Sequence, residues 1–162
     1  MNKRKRAETS IKTIKDAIER YGRFKFSVKG SSMFPFIIDG DEVIIERVLP
    51  EDIRVGDIIM YIRDTQMIVH RITNIYTTST GRRLFILRGD NLPYEDKPVW
   101  EEEIGGKATK VIRGDKEFTA ASFHPIVISA VRYVLNKGRV LKRILGLKIT
   151  QNDILNILRR KR

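Results

Sequence analysis

Between residues 23 and 113 the chain alternates β-branched or aromatic segments with turn residues, which leaves few folds other than a β-sheet open to it. The segments are Arg23–Lys29, Glu42–Arg47, Ile58–Arg63, Met67–Tyr76, Arg82–Arg88 and Lys107–Arg113. Gly-Asp dipeptides begin at Gly40, Gly56, Gly89 and Gly114. Because the intervals between them are irregular, they indicate turns and not a sequence repeat. Thr77–Gly81 predicts a hairpin loop. The sequence therefore predicts a mainly β fold.

Both flanks of this region have helical patterning. Ile11, Ile14, Ile18 and Tyr21 form one apolar stripe at spacings of 3, 4 and 3, which predicts a helix packed on the core or docked on a partner. After Ala121 the sequence predicts helices over Ile126–Leu135, Arg139–Leu147 and from about Asn152. We expect an N-terminal helix at 1–24, a β domain at 25–116 and a basic helical tail at 117–162.

Charge is distributed unevenly along the 162 residues, whose formal net charge is +12. Residues 1–29 carry +7, residues 30–120 carry −4 and residues 121–162 carry +9. Basic ends around an acidic middle predict that the ends bind an anionic membrane surface or an acidic partner. The tail is poor in aromatic residues, which argues against nucleic acid.

Composition also bears on cofactors and location. The chain has no Cys and two His, which excludes cysteine-ligated metal sites and disfavours a multi-histidine site, so we expect no cofactor. The basic residues Lys3–Arg6 are followed by Ala7, Glu8 and Thr9 and not by an apolar stretch, so no secretory signal is predicted. The expected location is cytoplasmic, with peripheral contact to a membrane.

Four side chains supply the groups that activate a hydroxyl nucleophile. Ser32 lies in a predicted tight loop, His70 in the middle of a predicted strand, and Asp90 and Asp96 in the turn region that follows the next strand. An alcohol needs a base to take its proton, and imidazole does this near neutral pH. A carboxylate, from either Asp90 or Asp96, would then orient the imidazole. Singly, each residue is more typical of a turn or a core position.

Together, these motifs resemble the signal peptidase I family over roughly residues 25–113. The resemblance is carried by Gly30-x-Ser32-Met33-x-Pro35, Gly56-Asp57-Ile58-Ile59, His70-Arg71-Ile72, Gly89-Asp90-Asn91 and Asp96. It is closest to the archaeal and endoplasmic-reticulum branch, in which a His replaces the bacterial Lys base. The resemblance implies a coiled β-sheet domain with Ser32 as nucleophile, His70 as general base and Asp96 as its orienting acid. Asp90 would support the site or substitute for Asp96.

The sequence departs from that family in two ways. Family members of this branch have a membrane helix just before the serine motif, whereas only a basic amphipathic segment precedes it here. They commonly have a second Ser two residues before the nucleophile, where this chain has Gly30. The oxyanion would then depend on backbone N–H groups, including that of Ser32, with Ser31 as a further donor.

The serine motif is also similar to that of the LexA-type self-cleaving repressors. Three features argue against a repressor: the residues before the motif hold one helix, no Ala-Gly or Cys-Gly dipeptide occurs, and His70 stands where those proteins have Lys. The resemblance thus implies a serine endopeptidase that cleaves a precursor or leader peptide after a small residue. The alternative is a non-catalytic peptide-binding adaptor whose basic ends dock on a membrane or an acidic partner.

Overall fold

The computed structural model describes residues 13–14, 16–120, 133–134 and 137. The chain divides into two compact units, Met1–Ile128 and Ser129–Arg162, and the sheet lies in the first. In the second unit, the described residues Tyr133, Val134 and Lys137 are helical. The rest of the predicted C-terminal helices lies outside the described residues.

In the residues of the first unit that the structure describes, the fold is mainly β, as predicted, and is built on one antiparallel sheet of eight strands. The strand order is β1-β2-β7-β3-β4-β5-β6, with β8 also paired to β7. The strands are β1 (Arg23–Ser27), β2 (Glu42–Glu46), β3 (Ile58–Arg63), β4 (Gln66–Thr77), β5 (Arg83–Arg88), β6 (Val99–Trp100), β7 (Ile104–Arg113) and β8 (Lys116–Thr119).

All six predicted strands are present, and the hairpin loop joins β4 to β5 as expected. β7 begins at Ile104, three residues before its predicted start. The two-residue β6 and the four-residue β8 were not predicted, and β8 carries the sheet on to Thr119.

Alternation along β3 divides the core into two clusters. Ile58 and Met60 belong to one cluster, with Val43, Ile45, Val69 and Val111 among its members. Ile59 and Tyr61 belong to the other, with Ile53, Ile72, Phe85, Leu87 and Val99. Because successive side chains of a strand point to opposite faces, β3 is buried on both. Register shifts in the pairings of β2 with β7, β3 with β7 and β4 with β5 bend the sheet.

The N-terminal helix, here α1, covers residues 13–21 with residue 15 not described. Ile14 and Ile18 are buried in the first cluster, which confirms the prediction that this helix packs on the core. Tyr21, which the periodicity assigns to the same apolar stripe, is instead 70% exposed. It is the last helical residue, and the chain turns away at Gly22, whose φ is 72°. Ile11 lies outside the described residues.

Within the described part of the chain, we find no helix that is both long enough and apolar enough to span a bilayer.

Candidate active site

Ser32 lies in a compact turn that the core holds in place. The N–H groups of Phe36 and Ile37 both donate to the Met33 carbonyl, at 3.1 Å each. Four side chains of this turn are buried: Met33, Phe34, Phe36 and Ile37. At its start, Gly30 has φ 99° and donates its N–H to Asp39 Oδ1 at 2.7 Å. The apolar residues after Ser32 therefore anchor the loop, while Ser32 itself is only partly buried.

The turn after β5 binds the main chain of the serine loop. Asn91 donates its N–H to the Ser32 carbonyl at 2.7 Å and its side-chain amide to the Ser31 carbonyl at 3.1 Å. A Cβ on Gly89 would lie 2.7 Å from the same Ser32 oxygen, closer than any side chain tolerates. Glycine at position 89 thus permits the close approach of the two loops.

This contact brings the serine loop to the end of β5. The pairing of β4 with β5 ends at Arg71 and Arg88; His70 directly precedes Arg71, and Gly89 directly follows Arg88. The turn that binds the Ser32 main chain therefore begins where β5 stops pairing with β4, the strand that carries His70.

His70 and Asp96 form a hydrogen-bonded pair. The distance from His70 Nδ1 to Asp96 Oδ2 is 2.6 Å, and their side chains are 8% and 13% exposed. Asp96 is fixed to the sheet by its own N–H, which donates to the Leu87 carbonyl at 2.8 Å. An ionised carboxylate only accepts, so a neutral His70 paired with it carries its proton on Nδ1 and its lone pair on Nε2. That is the protonation state a general base requires.

The Ser32 hydroxyl has no hydrogen bond to any residue that the structure describes, His70 included. Catalytic hydrogen bonds in enzymes without substrate are often long and tighten only in the complex.

Asp90 has a different partner from Asp96. It is 2% exposed and accepts from Arg71 Nε at 2.9 Å and from Arg71 Nη2 at 2.7 Å. Arg71 also donates to the Gly56 carbonyl at 2.9 Å. This buried pair ties the turn at Gly89–Asn91, and through it the serine loop, to β4.

Tyr61 is a site residue that the sequence did not indicate. Its side chain is buried in β3, and Asp96 lies near enough to influence its hydroxyl. Burial, with the nearby negative charge of Asp96, raises the pKa of Tyr61 well above its ordinary range. Tyr61 pairs with Ile68, two residues from His70 on the same face of β4. Only the fold reveals that Tyr61 lies near Asp96, because no spacing in the sequence connects the two residues.

Among the residues that the structure describes, no three His, Asp or Glu side chains are grouped so that they could hold a metal ion. A scan against models of known protein families gives no match to this chain, and a search of the curated proteins gives none either.

Proposed function

We propose that the protein is a serine endopeptidase of the signal-peptidase type that cleaves a precursor or leader peptide. In this proposal Ser32 is the nucleophile, His70 the general base and Asp96 the acid that orients it. The fold would be the coiled sheet shared by signal peptidases and LexA-type peptidases, with a basic helical tail. The preference for a small residue before the cleaved bond is taken from the family resemblance.

The observation that carries the proposal is the 2.6 Å contact between His70 Nδ1 and Asp96 Oδ2, beside a loop that presents Ser32. A buried His that is hydrogen-bonded only to core carbonyls would give no such support. Here the partner is a carboxylate on a separate loop, and the adjoining turn binds the serine loop by two hydrogen bonds.

The proposed reaction proceeds in two steps. Ser32 Oγ attacks the scissile carbonyl carbon while its proton passes to His70 Nε2, and backbone N–H groups that include that of Ser32 stabilise the oxyanion. The C–N bond then breaks as His70 returns the proton to the leaving amine. A water molecule, deprotonated by His70, attacks the acyl-enzyme and releases the acid. Asp96 stays ionised and stabilises the imidazolium in both steps.

The test is cleavage of a peptide library by purified variants, read by mass spectrometry. Wild type should produce new termini at defined sites, whereas Ser32→Ala and His70→Ala should each reduce the rate by at least about 10³-fold. Ser27→Ala, an exposed serine in β1, is the matched control and should retain the wild-type rate. Full activity in Ser32→Ala or in His70→Ala would refute the assignment.

A peptide-binding adaptor is the second candidate, and the missing hydrogen bond between the Ser32 hydroxyl and His70 favours it. In that case the sheet would bind peptides without cleaving them, and wild type and Ser32→Ala would retain equal amounts of uncleaved library peptides. New peptide termini that appear with wild type but not with Ser32→Ala would show that the protein is a peptidase.

The basic ends of the sequence support a second part of the proposal, that the protein works in the cytoplasm at an anionic membrane surface. Residues 121–162 combine a charge of +9 with bulky apolar residues, the composition of segments that lie at lipid interfaces.

A further inference from the structure

Asp96 lies in the connection between β5 and β6, residues 89–98, and this connection is bound to the sheet on both sides of it. Just before Asp96, the carboxylate of Glu95 accepts from the Thr73 hydroxyl of β4 at 2.9 Å. Asp96 itself donates its N–H to the Leu87 carbonyl of β5 at 2.8 Å. These two contacts hold the chain up to Asp96, and a third strand holds it directly afterwards.

Arg63, the last residue of β3, binds the two residues that follow Asp96. Its Nη1 donates to the Lys97 carbonyl and its Nη2 to the Pro98 carbonyl, each at 2.9 Å. Nη2 also lies 3.2 Å from Glu103 Oε1, so the guanidinium has a carboxylate partner as well. The Arg63 side chain is only 21% exposed, which limits the competition of water for these bonds.

A guanidinium is suited to this task because its N–H groups form a rigid planar fork. Two of its nitrogens bind two successive carbonyls at once, which fixes both the position and the direction of the chain after Asp96. A lysine ammonium keeps the positive charge but is a single point on a flexible stem, so it does not impose that geometry. The contact that depends on the loop is short: His70 Nδ1 and Asp96 Oδ2 are 2.6 Å apart. A displacement of Asp96 by about 1 Å would break it.

We propose that Arg63 is a positioning residue: by binding the Lys97 and Pro98 carbonyls, its guanidinium places the Asp96 carboxylate against Nδ1 of His70. A neutral imidazole with a fixed acceptor at Nδ1 keeps its proton there and its lone pair on Nε2. Without that acceptor it favours the tautomer with the proton on Nε2, which cannot take a proton at that atom. The effect on catalysis rests on the proposed function, whereas the effect on the tautomer does not.

The experiment measures the imidazole ¹⁵N chemical shifts, and the exchange of the Nδ1 proton with water, in the full chain labelled at histidine. The chain has one other histidine, His124, which serves as an internal reference. In wild type, neutral His70 should show a protonated Nδ1 and an unprotonated Nε2. In Arg63→Lys and Arg63→Gln, the shifts should move toward the Nε2–H tautomer, and the Nδ1 proton should exchange at least about tenfold faster, as for a lost charge-assisted hydrogen bond.

Arg82 provides the matched control. Like Arg63, it pairs with a carboxylate of the turn Glu101–Glu103, in this case that of Glu102. Like Arg63, it lies over an aromatic ring, with its guanidinium carbon 4.4 Å from the centre of the Trp100 ring. Its one hydrogen bond among the described residues goes to Glu102 and not to the loop of Asp96. Arg82→Lys and Arg82→Gln should therefore leave the His70 signals as they are in wild type.

Two results would overturn the proposal. One is an Nε2–H tautomer in wild type, a measurement that needs no variant to fold. The other is a folded Arg63→Lys or Arg63→Gln whose His70 shifts and proton exchange equal those of wild type. A residue that only stabilised the fold would give this second result, because the His70 signals of the folded molecules would not change.

Catalysis provides a separate readout. Where wild type cleaves peptides, Arg63→Lys should lower kcat about tenfold with KM nearly unchanged, because the base is misoriented while peptide binding is intact. An unchanged kcat would contradict the role in catalysis. Ser32→Ala would still decide the proposed function on its own, so the two proposals can fail separately.

Discussion

Asp90 and Asp96 lie six residues apart but have different partners. Nδ1 of His70 is paired with the carboxylate of Asp96, and Asp90 is paired with the guanidinium of Arg71. The motif order indicated Ser32, His70, Asp90 and Asp96, but the residues alone left open which carboxylate orients the imidazole. Tyr61 could not be predicted, because its position near Asp96 depends on how the sheet and a loop fold together.

Tyr61 should make stability depend on alkaline pH. Its pKa is raised in the folded protein, chiefly by burial, so the native state binds this proton more tightly than the unfolded chain. The associated stability is present below the unfolded pKa near 10 and is lost as pH rises above it. Between pH 9 and pH 11, Tyr61→Phe should lose about 1 kcal/mol less of its free energy of unfolding than wild type does.

Urea unfolding at the two pH values measures this difference, with Tyr76→Phe as control. Equal losses in wild type and Tyr61→Phe would show that Tyr61 titrates normally.

The buried pair of Arg71 and Asp90 should be required for stability. Asp90→Asn leaves the Arg71 charge buried without its partner and should lower the free energy of unfolding by about 3 to 5 kcal/mol. Asp115→Asn, an exposed position that also follows a turn glycine, should change it by less than about 0.5 kcal/mol. Urea unfolding measures both, and a small effect of Asp90→Asn would mean that water reaches the pair.

Secondary structure was predictable where segments are long and apolar. β3 and β4 each supply several buried residues, so their composition is distinctive. β6 has two residues, Val99 and Trp100, and exists through its pairing with Leu84 and Phe85 of β5. β8 is largely polar, and its pairing with β7 across the turn at Gly114 makes it a strand. Both strands are set by tertiary contacts that a short sequence window does not contain.

The junction between the serine loop and the turn after β5 gives a prediction at Gly89. In Gly89→Ala the new Cβ meets the Ser32 carbonyl at 2.7 Å, and this main-chain oxygen cannot move without moving Ser32. We expect a loss of about 1 to 3 kcal/mol of stability and altered amide NMR shifts at Ser32 and Asn91.

Gly105→Ala is the matched control. Its Cβ meets the sulfur and terminal methyl of Met60, a flexible side chain that can change rotamer. The amides of Ser32 and Asn91 should stay unchanged in this variant. Equal shifts there in both variants would mean that Gly89 has no special contact with the serine loop.

At the scale of the whole molecule, the proposed site lies in the acidic part of the sequence, and the basic residues are concentrated at the two ends. The region 30–120, which contains every proposed site residue, has a charge of −4, and the flanking regions have +7 and +9. In the proposed function, the ends bind an anionic surface and the site acts on a peptide that reaches it there.

Membrane binding by the C-terminal region is tested with vesicles that contain anionic lipid. Each basic residue near such a surface contributes on the order of 1 kcal/mol. Replacing Arg159, Arg160, Lys161 and Arg162 by Gln in the full chain should weaken binding at least tenfold, and added salt should weaken wild-type binding. Replacing Lys107 and Lys110 of β7 by Gln is the control. Binding that is unaffected by the tail changes would show that the tail does not bind the membrane.

The most direct test of the account is to trap the acyl-enzyme. Wild type is quenched in acid during cleavage of a library peptide, digested with trypsin, and the fragment of residues 30–47 is sequenced by mass spectrometry. We predict an acyl group on Ser32 that is absent in His70→Ala. Cleavage that persists in Ser32→Ala, or an acyl group on any other residue, would contradict the account.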